Sequence, residues 1–279
     1  MSLLTYNFES EYLNNNHQIT VILPDKPRNI SPDTFYRNGQ KYKVLWLLHG
    51  TFGDSTDWIR KTNIELYATE KNLVVVCPSA MNSNYSNWPD TMMGYNMYDY
   101  FTKELMPLIY GWFPVSDKRE DNFIAGLSMG GRGTIKFAVN YPELFGAAAV
   151  LSAAPVPFDE LRPGHPCMLM DTENPRTATA IKNAGGLDAY VHSGENVWAL
   201  IDQLTPTGKL PRLMFACGQD DTLLYERYKI FQTHCQEIGL DATWFDLPKY
   251  KHEWRFWDLA IQEALKFFGL EEANGGNPF

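Results

Sequence analysis

The residues best suited to chemistry are a serine placed between two glycines and, much later in the chain, an aspartate and a histidine. Residues 126–130 read G-L-S-M-G, the G-x-S-x-G pattern of a serine at a sharp turn between a strand and a helix. Residues 121–125 form a short apolar run before it, and residues 132–140 have a helical pattern after it. The pattern predicts that Ser128 is a nucleophile, the alternative being a glycine-rich turn with an uninvolved serine.

A serine hydroxyl is a poor nucleophile at neutral pH and needs a base to take its proton. Of the six histidines, only His252 lies between the last predicted strand and the closing helix, which favours it as that base. A carboxylate should then orient the imidazole. Asp220 and Asp221 follow another predicted strand, and the spacing from Gly218 favours Asp221. Asp220 would be a solvated carboxylate or a helix cap.

Attack on a carbonyl creates an oxyanion, which needs hydrogen-bond donors already in place. The backbone N–H of Met129, at the start of the predicted helix, is one expected donor. The second should come from residues 49–53, H-G-T-F-G, directly after an apolar run. We expect the N–H of Thr51, with that of Phe52 as the alternative. A plain glycine turn is the competing interpretation of this loop.

Buried strands and amphipathic helices alternate along most of the chain. Strands are predicted at residues 2–8, 17–23, 43–48, 73–77, 121–125, 145–151, 210–216 and 242–247, and helices at 62–70, 96–110, 132–140, 223–238 and 253–268. Such alternation predicts an α/β fold with a mostly parallel, doubly wound sheet and helices on both faces. Loops at the carboxyl ends of its strands build the functional site.

Two long segments interrupt this alternation. Residues 80–94 form a predicted loop rich in polar and aromatic residues, and residues 155–207 have prolines, glycines and weak periodicity. We expect one domain over residues 1–279, in which 155–207 are an inserted lid or pocket segment above the site.

Large side chains near these loops are candidates for substrate contacts. Phe52 lies in the H-G-T-F-G loop, Trp88 in the polar-aromatic loop, and Trp198 in the predicted insertion. The loop that holds Trp88 is also rich in tyrosine and methionine, which could line a pocket. The alternative is that these side chains only cover the core.

Composition excludes several classes of function. The chain has 279 residues, 44% of them hydrophobic, and a formal net charge of −9, which argues against a nucleic-acid partner. The first residues carry neither a signal peptide nor an apolar run long enough for a membrane span, so a cytoplasmic protein without a membrane partner is expected.

Four cysteines lie far apart without C-x-x-C spacing, which predicts free thiols and no metal site: Cys77, Cys167, Cys217 and Cys235.

Together these motifs resemble the serine esterases of the esterase D group, in particular its bacterial tributyrin-esterase and feruloyl-esterase-like members. The resemblance spans residues 43–268 and is carried by the motifs at 47–50, 57–58, 62–65, 76–79, 126–131, 218–221 and 252–254, with Trp257. It implies an α/β-hydrolase fold and hydrolysis of short acyl or hydroxycinnamoyl esters through an acyl-enzyme, with no cofactor. The family's catalytic triad falls on Ser128, Asp221 and His252.

Other functions remain open from the sequence. An S-formylglutathione hydrolase is disfavoured because residues 51–54, T-F-G-D, do not look like the corresponding loop of those enzymes. An acyltransferase could use the same scaffold. A non-catalytic binding module is remote, because serine, aspartate and histidine are all present. The expected partner is a small-molecule ester, and association of identical copies is left open.

Overall fold

The computed structural model describes residues 2–158, 161, 172 and 174–270 of the chain. The strands are β1 Ser2–Ser10, β2 Asn15–Leu23, β3 Val44–Leu48, β4 Val74–Pro78, β5 Asn87–Trp88, β6 Tyr95–Asn96, β7 Asn122–Leu127, β8 Ala147–Leu151, β9 Arg212–Gly218 and β10 Ala242–Leu247. The α-helices are α1 Pro32–Tyr36, α2 Asp57–Lys61, α3 Ile64–Glu70, α4 Met97–Tyr100, α5 Met106–Trp112, α6 Met129–Asn140, α7 Pro175–Asn183, α8 Leu187–Val191, α9 Val197–Leu204, α10 Tyr225–Glu237 and α11 Trp254–Phe267.

Within this described part, one eight-stranded sheet has the order β1-β2-β4-β3-β7-β8-β9-β10. The pairs β1–β2 and β2–β4 are antiparallel, and every pair from β4–β3 onward along the order is parallel. The carboxyl ends of β3, β7 and β9 therefore meet at one edge. The predicted mostly parallel sheet is confirmed, and the physical cause is the alternation of strands with crossover helices.

Helices cover both faces of the sheet, and the central strands contribute alternate side chains to two separate cores. In β3, Val44, Trp46 and Leu48 face one core, whereas Leu45 and Leu47 face the other. The first core includes side chains of α4, α5, α6, α9 and α10, and the second includes those of α2, α3 and α11. Burial on both faces explains why the central strands are continuous apolar runs in the sequence.

Local structure differs from the predictions in several places, and two of them have a clear physical reason. Between the strands predicted at 17–23 and 43–48, where no helix is predicted, the chain forms α1, because Ser31 caps the N–H of Thr34 and Pro32 occupies the first helical turn. The helix predicted over residues 96–110 is divided by a π-helical turn at Phe101–Leu105. Periodicity finds the buried face of a helix but does not detect a change of helix type within it.

The described part of the predicted insertion, residues 155–207, contains α7, α8 and α9. A small core of Phe158, Leu161 and Tyr190 holds its first part together, and α9 packs against α6. His165 and Cys167 lie outside the described residues. The role of this segment as a lid stays a prediction. Over the described ranges, no helix is long and apolar enough to cross a membrane.

His17 in β2 makes stability depend on pH. Its ring is buried and packs edge-on against Tyr100, with the ring centroids 4.9 Å apart. Burial lowers the pKa of His17 from 6.5 to about 4. As the pH falls through this window, the unfolded chain binds a proton that the folded chain does not. The contribution of neutral His17 to the free energy of unfolding is therefore fully present above pH 6.5 and is lost as the pH falls towards 4.

We expect His17→Phe to flatten this dependence, because phenylalanine fills the aromatic site without titrating. Between pH 6.5 and pH 4 the free energy of unfolding of the wild type should fall about 3 kcal/mol further than that of the variant. Urea denaturation at both ends of the window measures this difference. His192→Phe, at a side chain that is 75% exposed, is the matched control. Equal pH dependence in wild type and His17→Phe would contradict the prediction.

Candidate active site

Ser128 occupies the turn between β7 and α6. Its φ of 53° and ψ of −115° are a backbone conformation that residues other than glycine rarely adopt. A Cβ atom on Gly126 would lie 2.6 Å from the carbonyl carbon of Gly130, and one on Gly130 would lie 2.5 Å from the carbonyl oxygen of Leu48. The two glycines thus allow β3, β7 and α6 to approach closely while the turn projects the serine from the edge of the sheet.

Asp221, and not its exposed neighbour Asp220, contacts His252. Oδ2 of Asp221 lies 2.7 Å from Nδ1 of His252, and the Asp221 side chain is fully buried. Oδ1 accepts hydrogen bonds from the backbone N–H groups of Leu223 and Leu224, at 3.1 and 3.2 Å. These bonds fix the carboxylate. With Nδ1 donating to Asp221, Nε2 of His252 is left to accept a proton.

His49 supports the loop that follows β3. The Ala80 N–H donates to Nε2 of His49 at 2.8 Å, so the ring proton is on Nδ1, which donates to the Gly50 carbonyl at 2.7 Å. Burial lowers the pKa of His49, which favours this neutral form. The hydroxyl of Tyr85 donates to the His49 carbonyl at 3.1 Å. His49 is thus a structural support beneath the loop.

The backbone amides of the two loops at the site differ in their hydrogen bonding. The N–H of Phe52 donates to Oδ1 of Asn82 at 2.8 Å. Among the hydrogen bonds of the described residues, none uses the N–H of Thr51 or of Met129. Met129 is the first residue of α6, where backbone N–H groups have no partner within the helix. Of the two amides proposed in the 49–53 loop, that of Thr51 therefore remains available.

Ser128, Thr51, Met129 and His252 line one cavity of about 210 Å³. Among the hydrogen bonds of the described residues, none joins the hydroxyl of Ser128 to His252, whose Nδ1 contacts Asp221. Catalytic hydrogen bonds often tighten only when substrate binds. The described part of the predicted insertion forms another wall of this cavity. In that same part of the chain, no cluster of three or more histidine, cysteine or acidic residues could hold a metal ion.

Comparisons with known proteins agree with this architecture over most of the chain. The model of the Esterase family matches residues 10–268. The chain belongs to the Esterase family. It is 30% identical over 275 residues to an acetyl esterase of Caldicellulosiruptor saccharolyticus, covering 96% of this chain and 98% of that relative. The resemblance inferred from the motifs is thereby confirmed, and the protein is an ester hydrolase.

Two solved structures of Staphylococcus aureus proteins are similar to this esterase, and each comparison covers 96% of this chain and 98% of the other. One is fluorophosphonate-binding serine hydrolase F, at 30% identity and a TM-score of 0.79. The other is an S-formylglutathione hydrolase, at 31% identity and a TM-score of 0.78. The α/β-hydrolase fold expected from the sequence is confirmed.

The structure does not bring the three predicted substrate contacts to the cavity of this esterase. Phe52 is 91% exposed on the outside of its loop. Trp88 lines a neighbouring cavity, and its indole N–H donates to the Ser83 carbonyl at 2.7 Å. Trp198 stacks on the ring of His234, with centroids 4.0 Å apart. Trp198 is placed by packing against the distant helix α10, which a local pattern does not report.

The tyrosines in and next to the polar-aromatic loop cover the core, whereas its methionines neither cover the core nor line the cavity. Tyr85 is fully buried in the core, and Tyr95 is also buried, as the core-covering interpretation predicts. Met92 and Met93 are 98% and 80% exposed. None of these four side chains lines the cavity that contains Ser128.

Sequence reasoning missed the charged residues of the cavity. Arg132 and Lys136 line it, and they follow Ser128 at intervals of four residues along α6. That spacing places all three on one face of the helix and was visible in the sequence. Arg176 and Arg227 reach the cavity from α7 and α10, and no local spacing indicates this.

Proposed function

We propose that this esterase is a serine carboxylesterase in which Ser128 is the nucleophile, His252 the general base and Asp221 the residue that orients and stabilises the imidazole. The observation that carries the proposal is the 2.7 Å contact between Asp221 and His252 at a cavity that also contains Ser128. The strained turn at Ser128 supports it, because strain of this kind is concentrated at functional sites.

The reaction proceeds in two halves. Nε2 of His252 removes the hydroxyl proton of Ser128 as its oxygen attacks the ester carbonyl carbon. The N–H groups of Thr51 and Met129 stabilise the resulting oxyanion. When the intermediate collapses, the carbon–oxygen bond to the alcohol breaks and His252 returns the proton to the leaving alkoxide. Water activated by His252 then attacks the acyl-enzyme, releases the acid and restores Ser128.

Short acyl esters are the proposed substrates, with hydroxycinnamoyl esters as the larger class. Support comes from the apolar side chains that line the small cavity, including Ile135, Val156 and Val197. A relative named acetyl esterase also supports a short acyl group. We further propose that the protein works in the cytoplasm as one domain, needs no cofactor and has no nucleic-acid or membrane partner.

An S-formylglutathione hydrolase is the second candidate, because one of the similar structures carries that name at 31% identity. The two functions differ in the leaving group that the acyl carbon is bonded to, which is an alcohol oxygen in one substrate and a thiol sulfur in the other. Comparing kcat/KM for S-formylglutathione with that for short-chain esters distinguishes them. A large preference for the thioester would favour this candidate.

Covalent labelling tests the serine mechanism. A fluorophosphonate should add once to the wild type, and peptide mapping should place the adduct on Ser128. Ser152→Ala is the matched control, since Ser152 lines the same cavity, and it should still be labelled. An adduct on another residue, or equal labelling of Ser128→Ala, would reject Ser128 as the nucleophile. A panel of esters of rising chain length plus methyl ferulate then ranks the acyl groups.

A further inference from the structure

His252, the base of the proposed mechanism, is held at Nδ1 by a hydrogen bond that does not by itself set the plane of its ring. Nδ1 lies 2.7 Å from Oδ2 of Asp221. An imidazole can rotate about the line of such a bond and turn Nε2 away from the nucleophile. The His252 side chain is 24% exposed, so burial does not enclose it on all sides. A further contact is therefore needed to keep Nε2 directed at Ser128.

Trp257 supplies a contact of this kind. The ring centroids of His252 and Trp257 are 5.0 Å apart and the two planes are at 88°, the edge-to-face arrangement that aromatic pairs favour. Trp257 lies in the first turn of α11, which begins two residues after His252, and it is 5% exposed. A large, buried ring against one side of the imidazole restricts its rotation in that direction.

The indole of Trp257 is itself anchored to the central sheet. Its N–H donates to Oγ of Ser152 at 3.0 Å. Ser152 directly follows β8, is fully buried, and donates its own N–H to the Ala216 carbonyl of β9 at 2.7 Å. On the other side of β8, the Ser128 N–H donates to the Leu151 carbonyl at 2.8 Å. Trp257 thus connects the base to the same edge of the sheet from which the nucleophile projects.

Two more tryptophans extend this contact to a second strand end. Trp254 packs perpendicular to Trp257, with centroids 5.2 Å apart, and Trp58 packs perpendicular to Trp254 at 5.3 Å. The indole N–H of Trp58 donates to the Leu48 carbonyl, at the end of β3, at 3.1 Å. The row of three rings therefore has an indole hydrogen bond to the sheet edge at each end, and His252 packs against one of its members.

We propose that Trp257, anchored by Ser152, is a positioning residue that holds the imidazole of His252 in the orientation in which Nδ1 faces Asp221 and Nε2 faces Ser128. The inference rests on the proposed serine mechanism. When the ring is less well held, a smaller fraction of molecules has the base aligned, so kcat falls. KM changes little, because Trp257 does not line the cavity that contains Ser128.

Trp257→Phe tests the proposal, because it keeps an aromatic ring and removes the anchoring N–H. Both halves of the reaction use the imidazole, so kcat for p-nitrophenyl butyrate should fall about 10-fold with KM within about 2-fold of the wild type. Ser152→Ala removes the same hydrogen bond from the other side and should lower kcat by a similar factor. Trp257→Leu, which also removes the ring, should lower kcat further. A fluorophosphonate should still label Ser128 in all three, more slowly.

Trp46→Phe is the matched control for a purely structural effect. Trp46 is fully buried in β3 and faces the other core, and its indole N–H donates to Oδ1 of Asn122 at 3.0 Å. The substitution removes the same atoms and the same kind of buried hydrogen bond. It should destabilise the fold to urea about as much as Trp257→Phe, yet leave kcat within about 2-fold of the wild type.

A double variant shows whether Trp257 acts through the imidazole. In a His252→Ala background there is no ring to orient, so adding Trp257→Phe should cause no further loss of rate. A tryptophan that only fills the core would instead lower the rate by the same factor with and without His252. Steady-state rates of the wild type, both single variants and the double variant complete this cycle.

The outcomes separate this proposal from the serine mechanism. Unchanged kcat in both Trp257→Phe and Ser152→Ala would overturn the positioning role. An equal loss in Trp46→Phe, or the same loss by Trp257→Phe in the His252→Ala background, would also overturn it. A large loss of rate in His252→Ala would meanwhile leave the serine mechanism intact. Full activity of His252→Ala would overturn the mechanism itself, and the positioning role with it.

Discussion

Ser128→Ala should lower kcat/KM for p-nitrophenyl acetate and butyrate by about 10⁴- to 10⁶-fold, because no other group at the turn can form the acyl-enzyme. The φ of 53° at Ser128 directs the side chain away from the sheet, and alanine keeps the Cβ atom and the turn. Release of p-nitrophenol at saturating and subsaturating substrate measures the loss. The residual rate should come from binding and the oxyanion donors alone.

A change in stability must not be mistaken for this loss. Thermal unfolding of Ser128→Ala should remain close to that of the wild type, since only one oxygen atom is removed. Ser31→Ala makes the same chemical change at the exposed N-cap of α1 and should retain wild-type activity. Equal rates in wild type and Ser128→Ala would eliminate the nucleophile assignment.

Asp221→Asn should lower kcat by about 10⁴-fold while leaving the structure of the loop largely intact. Oδ2 of the aspartate accepts the proton of His252 Nδ1, and Oδ1 is held by the Leu223 and Leu224 amides. An asparagine that keeps those backbone bonds presents its NH₂ group to Nδ1. That arrangement favours the histidine tautomer with its proton on Nε2, which cannot accept the serine proton.

Asp220→Asn is the matched control for this prediction. Asp220 is adjacent in the sequence but exposed, and the same substitution there should change kcat by less than about 2-fold. Steady-state kinetics of both variants on one ester give the comparison. A larger loss for Asp220→Asn than for Asp221→Asn would reassign the acid.

Sequence patterns predicted the elements of this protein because each element has a local signature. Central strands buried on both faces are continuous apolar runs, and the close approach of backbone at the Ser128 turn requires glycine at 126 and 130. The chain order of Ser128, Asp221 and His252, each at the end of a strand, indicated a common edge of the sheet. The helix α1 and the π-helical turn were not predicted, because each spans only five residues and leaves a short pattern in the sequence.

Contacts between distant elements were outside the reach of those patterns. Gly218 spacing favoured Asp221, yet only the structure shows which of the two adjacent aspartates contacts the imidazole. Aromatic side chains were chosen as substrate contacts by type and position, and Trp198 instead stacks on His234. An aromatic ring is buried wherever the tertiary structure offers a matching surface, so its residue type alone does not indicate a site.

By itself, the sequence determined the alternation of strands and helices, the strained serine turn and the order in which candidate catalytic residues leave the sheet. Each of these follows from interactions among residues close in the chain, or from the rule that parallel strands end at one edge. Only the tertiary structure decided which side chains surround Ser128, including the arginines of α7 and α10. Helices far apart in the chain meet there because they pack against a shared sheet, and that packing is set by the whole core.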